Sequence, residues 1–129
     1  MKILQPPGCV RPKGYSNGIV ASGRIVCVSG MIGWDAQGNF VSDEFVAQAR
    51  QALRNIVEVL AEADARPEHI VRMTWYVMDK KEYVAAYPDI GAIYRELIGR
   101  HFPAMTAVQV SALIEDRARV EIEATAVVP

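Results

Sequence analysis

The chain has 129 residues, 51% of them hydrophobic and 22% charged, with a formal net charge of -1. That length fits one domain spanning residues 1–129, and that composition excludes a disordered chain. Near-neutrality argues against general nucleic-acid binding, which rewards clustered Lys and Arg, and no run approaches the ~20 apolar residues of a membrane span.

From the N-terminus to about Ser16 the chain is rich in Pro and Gly and reads as an extended lead-in. A short strand is expected at 19–21, a turn at Gly23-Arg24, and a longer strand at 25–32. The second run is apolar at nearly every position, as in strands covered on both faces. Gly33 to Asn39 breaks regular structure. Ser42 is then placed to cap a helix with Asp43 and Glu44 in its first turn. Phe45, Ala49, Ala52, Leu53, Ile56, Leu60 and Ala63 form its apolar stripe, and Gln48, Arg50, Gln51, Arg54, Glu58 and Glu62 its polar side. Alternation predicts a strand at 71–78. Asp79 is a candidate cap for a second helix that Pro88 interrupts and Gly99 ends. Strands near 105–112 and 118–128 complete the chain.

Two helices can cover one face of such a sheet, giving an α+β fold. The other face is expected to carry Tyr76, Met78, Met105, Ala107, Gln109 and the charged set of the last strand. That mixture is too apolar for water and too polar for a core, so it predicts burial against further copies of the chain, a homo-oligomer.

His69 and His101 lie in different elements, and no Cys or His pair has ligand spacing, so no metal site is expected. Cys9 and Cys27 are too few for a disulfide scaffold; reduced thiols and the lack of an apolar leader predict a cytoplasmic protein. Glu121 and Glu123 share one strand face with Arg119. They are suited either to hold a reacting water or to build an interface ion-pair network. Tyr15 sits among glycines that let the backbone approach a ligand closely, and Trp34 can form an apolar wall or an interface anchor.

Five segments, in this order and spacing, carry a resemblance across nearly the whole chain. They are Gly14-Tyr15-Ser16-Asn17-Gly18, Val28-Ser29-Gly30-Met31-Ile32, the helical run from Gln48 to Ile56, Phe102-Pro103-Ala104, and Val120-Glu121-Ile122-Glu123-Ala124. The chain resembles the RidA family, also called YjgF/YER057c/UK114. The resemblance implies a chorismate-mutase-like α+β fold and a homotrimer whose sheets surround a central barrel, with clefts between subunits. It implies hydrolysis of reactive enamines or imines to keto acids and ammonia, with no metal or organic cofactor.

Tyr15, Ser29, Gly30 and Glu121 match the family's site positions, Glu121 being the one that places water. Met105 stands where the deaminases carry an arginine that clamps the substrate carboxylate, and Ala107 where a cysteine is common. Guanidinium to thioether removes a permanent charge and its paired donors. The chain therefore looks like a divergent member acting on a small enamine, imine or aminomuconate-like metabolite. Met31, Trp34 and Thr106 complete the expected substrate-binding set. Arg24, Arg72, Arg100 and Arg119 are the candidate replacement cations. A non-catalytic trimer binding a small metabolite in the same cleft is the alternative.

Overall fold

The computed structural model describes all residues 1–129. Strands β1 (Lys2–Leu4) and β2 (Gly18–Val20) pair antiparallel as a separate two-stranded sheet, so part of the expected lead-in is a strand. The main sheet contains β3 (Arg24–Met31), β4 (Ile70–Val77), β5 (Ala104–Gln109) and β6 (Val120–Val128) in the order β3-β6-β4-β5. The β4–β5 pair is parallel and the other two are antiparallel, so the sheet is mixed.

Helix α1 (Phe45–Ala61) lies across β6 and β3. Its Ala52, Leu53, Ile56 and Leu60 are fully buried, in one core with Ile70, Met73, Ile122 and Ala126. The expected cap is displaced by two residues. Glu44 is the N-cap, and the Ser42 hydroxyl accepts from the Glu44 amide at 2.9 Å before the helix begins. Asp43 is drawn off to Arg117, whose Nη2 lies 2.8 Å away.

The covering layer has three helices rather than two: α1, α2 (Lys80–Ala85) and α3 (Tyr87–Leu97). The break falls before Pro88, which lacks the amide an uninterrupted helix would use. Asp79 caps α2, accepting from the Lys81 and Glu82 amides. Asp79→Ala is expected to lower stability by about 1 kcal/mol, read from urea denaturation. Gly99 ends the last helix with φ 94°, and its amide donates to Tyr94 O at 3.1 Å.

Two irregularities set which side chains reach which face. On β3 the pairing jumps from Val28↔Ala124 to Met31↔Ile122, so Ser29 and Gly30 form a bulge. On β4 it jumps from Ile70↔Ala126 to Arg72↔Thr125, which makes Val71 the extra residue. Ile70, not Val71, therefore joins Met73, Trp75 and Val77 in the core.

β5 corrects one expectation. Parallel pairing sets Met105 beside Met73, Ala107 beside Trp75 and Gln109 beside Val77, all toward the helices. The open face takes Ala104, Thr106 and Val108 instead, with Arg72, Thr74, Tyr76, Glu121 and Glu123.

Candidate functional site

The expected site residues divide between the two faces of the sheet. The open-face group is Ser29, Gly30, Thr106 and Glu121. Register aligns Glu121 with Tyr76 on β4, and Tyr76 with Val108 on β5. Gly30 is the neighbour of Glu121 on β3, and a Cβ there would collide with the Glu121 carboxylate. The bulge and the missing side chain together let that carboxylate lie against the β3 backbone.

Glu123 is engaged differently. Tyr76 Oη donates to Glu123 Oε1 at 2.6 Å. That bond, followed by burial and the charges of Glu123 and Glu121, raises the phenol pKa above its ordinary value. Tyr76 is thus held protonated, as a donor. Arg72, Thr74, Cys27, Ser29, Glu123 and Thr125 line a polar hollow of about 420 Å³ on this face. Cys27 and Cys9 are exposed and unbridged.

The helix-side group is Tyr15, Met105 and Ala107. Ser16 positions Tyr15: its amide donates to Pro103 O at 3.0 Å, its hydroxyl to Phe102 O, and it bridges to Ala104. Gly14, at φ 77°, supplies the turn that leads in. Tyr15 then stands at the edge of a cleft of about 830 Å³ between β5 and α2–α3. Trp75, Tyr83, Tyr87, Tyr94, Phe102 and Met105 give it an aromatic and apolar lining. Trp75 and Tyr83 rings lie 5.9 Å apart, and Tyr83 meets Tyr87 edge-on at 5.3 Å. The buried Trp75 indole N–H has no acceptor, which is unusual for a buried donor.

Met31 and Trp34 join neither group directly. Met31 pairs with Ile122 and packs on the core. Trp34 bridges to Phe40, and its carbonyl accepts from Asn55 Nδ2 at 2.9 Å.

None of the four candidate arginines lines the cleft. Arg119 is paired with Glu82 at 2.9 Å, Arg24 donates to Ala63 O, Arg72 borders the polar hollow, and Arg100 is exposed. The cations that do line it are Lys13, Lys80 and Arg95. Hydropathy gave no sign of them, because each lies on an exposed stretch. Asp79 and Pro88 fix the positions of α2 and α3 and so offered the one available clue to the last two.

The histidines are held apart in structural bonds. His69 Nδ1 accepts from the Arg66 amide at 2.9 Å, and His101 Nε2 contacts Ile70 O. No group of three or more His, Cys, Asp or Glu is arranged to hold a metal ion, and no helix is long and apolar enough to cross a membrane.

A family model described as endoribonuclease L-PSP matches residues 10–128. The chain is 34% identical over 128 residues to a human protein named 2-iminobutanoate/2-iminopropanoate deaminase, an alignment covering 98% of this chain and 88% of that one. A Salmonella typhimurium protein of the same name is 33% identical over 124 residues, covering 94% and 91%. Among solved structures, YyfB from Yersinia pestis, described as a protein of unknown function of the conserved Rid protein family, superposes with a TM-score of 0.87 at 31% identity. That match covers 98% of both chains.

Proposed function

The chain belongs to the RidA family, and on that premise we propose that it is a cofactor-independent hydrolase of a small enamine, imine or aminomuconate-like metabolite. The observation that carries this reading is the Glu121 carboxylate seated against Gly30, at a position matching the family's water-placing glutamate. Relatives bearing deaminase names align over nearly the whole chain and support it.

In the proposed reaction, water adds to the imine carbon while Glu121 orients it and takes up its proton. Glu121 passes that proton to the nitrogen, the hydroxyl of the adduct gives up its second proton to the same nitrogen as the carbon–nitrogen bond breaks, ammonia leaves, and a 2-oxo acid remains. Carbon keeps its oxidation state, so no redox partner is needed. Tyr15, Ser29 and the backbone at Gly30, Thr106 and Ala107 hold the substrate, with Met105 shaping the apolar surroundings. An enamine substrate first takes a proton on carbon to become the imine.

This reading includes a single domain over residues 1–129, a chorismate-mutase-like fold, and a cytoplasmic homotrimer packed around a sheet barrel. The open sheet face supports the assembly: Ile25 is 71% exposed, and Val108 on the same face is also bare. So does the division of the site. Tyr15 and Glu121 lie on opposite sides of one sheet, so a small substrate reaches both groups where neighbouring copies meet.

Met105 favours a second reading, a trimer that binds such metabolites without turning them over, because its thioether offers no charge to a carboxylate. The two separate by experiment. With 2-iminopropanoate and a panel of larger imines generated in solution, ammonia release should exceed the uncatalysed rate. Binding of the corresponding 2-oxo acids with no acceleration for any imine would establish the second reading and end the first.

A further inference from the structure

Replacing an arginine by Met105 leaves the helix-side cleft without the family's anchor, yet the cleft is not without charge. Lys13, Lys80 and Arg95 all border it, none is in an ion pair, and no Asp or Glu lines it. The Arg95 guanidinium folds back over Gly91, with Nη1 3.8 Å from where a side chain at 91 would begin. A cleft whose only formal charges are positive attracts anions.

The walls argue for size. The cleft holds about 830 Å³. A three-carbon imino acid has six heavy atoms and takes on the order of 180 Å³ at the ~30 Å³ of one water. Tyr83, Tyr87, Phe102 and Met105 offer aromatic faces and a polarisable sulfur to the remainder, with the buried Trp75 behind them.

We propose that this cleft takes a 2-oxo or 2-imino acid with an aromatic side chain, the ring against the tyrosine and phenylalanine wall and the carboxylate toward Arg95 and Lys80. The anchoring charge has moved from the strand to the helices, and Met105 has become part of the surface that receives the ring. The proposal deepens the hydrolase reading and rests on it for the reaction, but binding is measurable without turnover.

Calorimetry with three probes tests it: phenylpyruvate, pyruvate, and phenylacetone, which keeps the ring and lacks the carboxylate. Phenylpyruvate should bind roughly tenfold or more tightly than pyruvate, since a buried ring contributes what a methyl cannot. It should also bind more tightly than phenylacetone, and lose affinity as salt rises. Arg95→Gln and Lys80→Gln should each weaken phenylpyruvate roughly twofold to fivefold, as expected for partly exposed charges, and leave phenylacetone unchanged.

Equal affinity for pyruvate and phenylpyruvate overturns the proposal, as does phenylpyruvate binding that ignores both variants and salt. So does an Arg95→Glu variant that binds phenylpyruvate as tightly as the unaltered protein, because a reversed charge cannot hold a carboxylate. Ammonia release from 2-iminopropanoate without phenylpyruvate binding would sink this proposal alone. Phenylpyruvate binding without ammonia from any imine would sink the hydrolase reading alone.

Discussion

Glu121→Gln is expected to reduce ammonia release by roughly 10²- to 10⁴-fold while folding and assembly persist, the range for loss of a positioned general base. The amide keeps the shape of the carboxylate and one acceptor oxygen, so it still fits against Gly30. What it cannot do is take the proton that water gives up as it attacks. Glu123 is the internal control. It shares the sheet face, but its carboxylate is engaged by Tyr76 at 2.6 Å. Glu121 is in no ion pair. Glu123→Gln should therefore leave the rate within about threefold, since an amide oxygen can still accept from the phenol. Steady-state rates on the same imine, with circular dichroism to check folding, decide the matter. A Glu121 variant with undiminished turnover removes this residue from the chemistry, and the reverse ranking of the two variants transfers the role to Glu123.

The largest expected loss of stability lies at Gln48. The side chain is 0% exposed. Its Nε2 donates to Ser42 O at 2.9 Å and to Arg117 O at 3.0 Å, and its Oε1 accepts from the Arg119 amide at 2.8 Å. One amide thus ties the entry of α1 to the segment leading into β6. Gln48→Leu leaves three backbone groups without these partners at about 1–3 kcal/mol each, partly offset by apolar burial, for a net cost of about 3–5 kcal/mol. The fit also leaves little freedom for the branched replacement, because a Cβ on Gly33 would already collide with Gln48. Urea denaturation followed by tryptophan fluorescence measures the effect. A cost below 1 kcal/mol would mean that these backbone groups find other partners or water.

Gln48 also shows where reading the chain by polarity fails. Phe45 precedes it by three residues and Ala52 follows it by four, so helical geometry places it on the buried stripe. Its amide nevertheless assigns it to the wet side. Only the carbonyls and amide that it meets, two of them about seventy residues away, explain why it lies inside. By contrast, α1 itself, the Asp79 cap, the Pro88 break and the Gly99 stop were legible because each depends on local chemistry.

The strands divide along the same line. β6 alternates strictly between buried and half-buried residues, and its faces could be assigned without a structure. β5 reads Ala-Met-Thr-Ala-Val-Gln, with no alternation strong enough to set its phase. Its parallel register with β4 decides the matter and turns Met105, Ala107 and Gln109 toward the helices. The two bulges were equally silent, because an extra residue in one strand is visible only opposite its partner. The same is true of the cleft cations. Lys13 arrives from the N-terminal segment and Arg95 from α3, and neither position alone announces the other.

Met105 and Glu121 answer to different surroundings because the sheet stands between them. A substitution at 105 or 107 is felt by the aromatic wall and hardly at all by the backbone that seats the glutamate. Such an arrangement lets the helix-side wall change, one tolerated replacement at a time, without disturbing the seat of Glu121 on the opposite face.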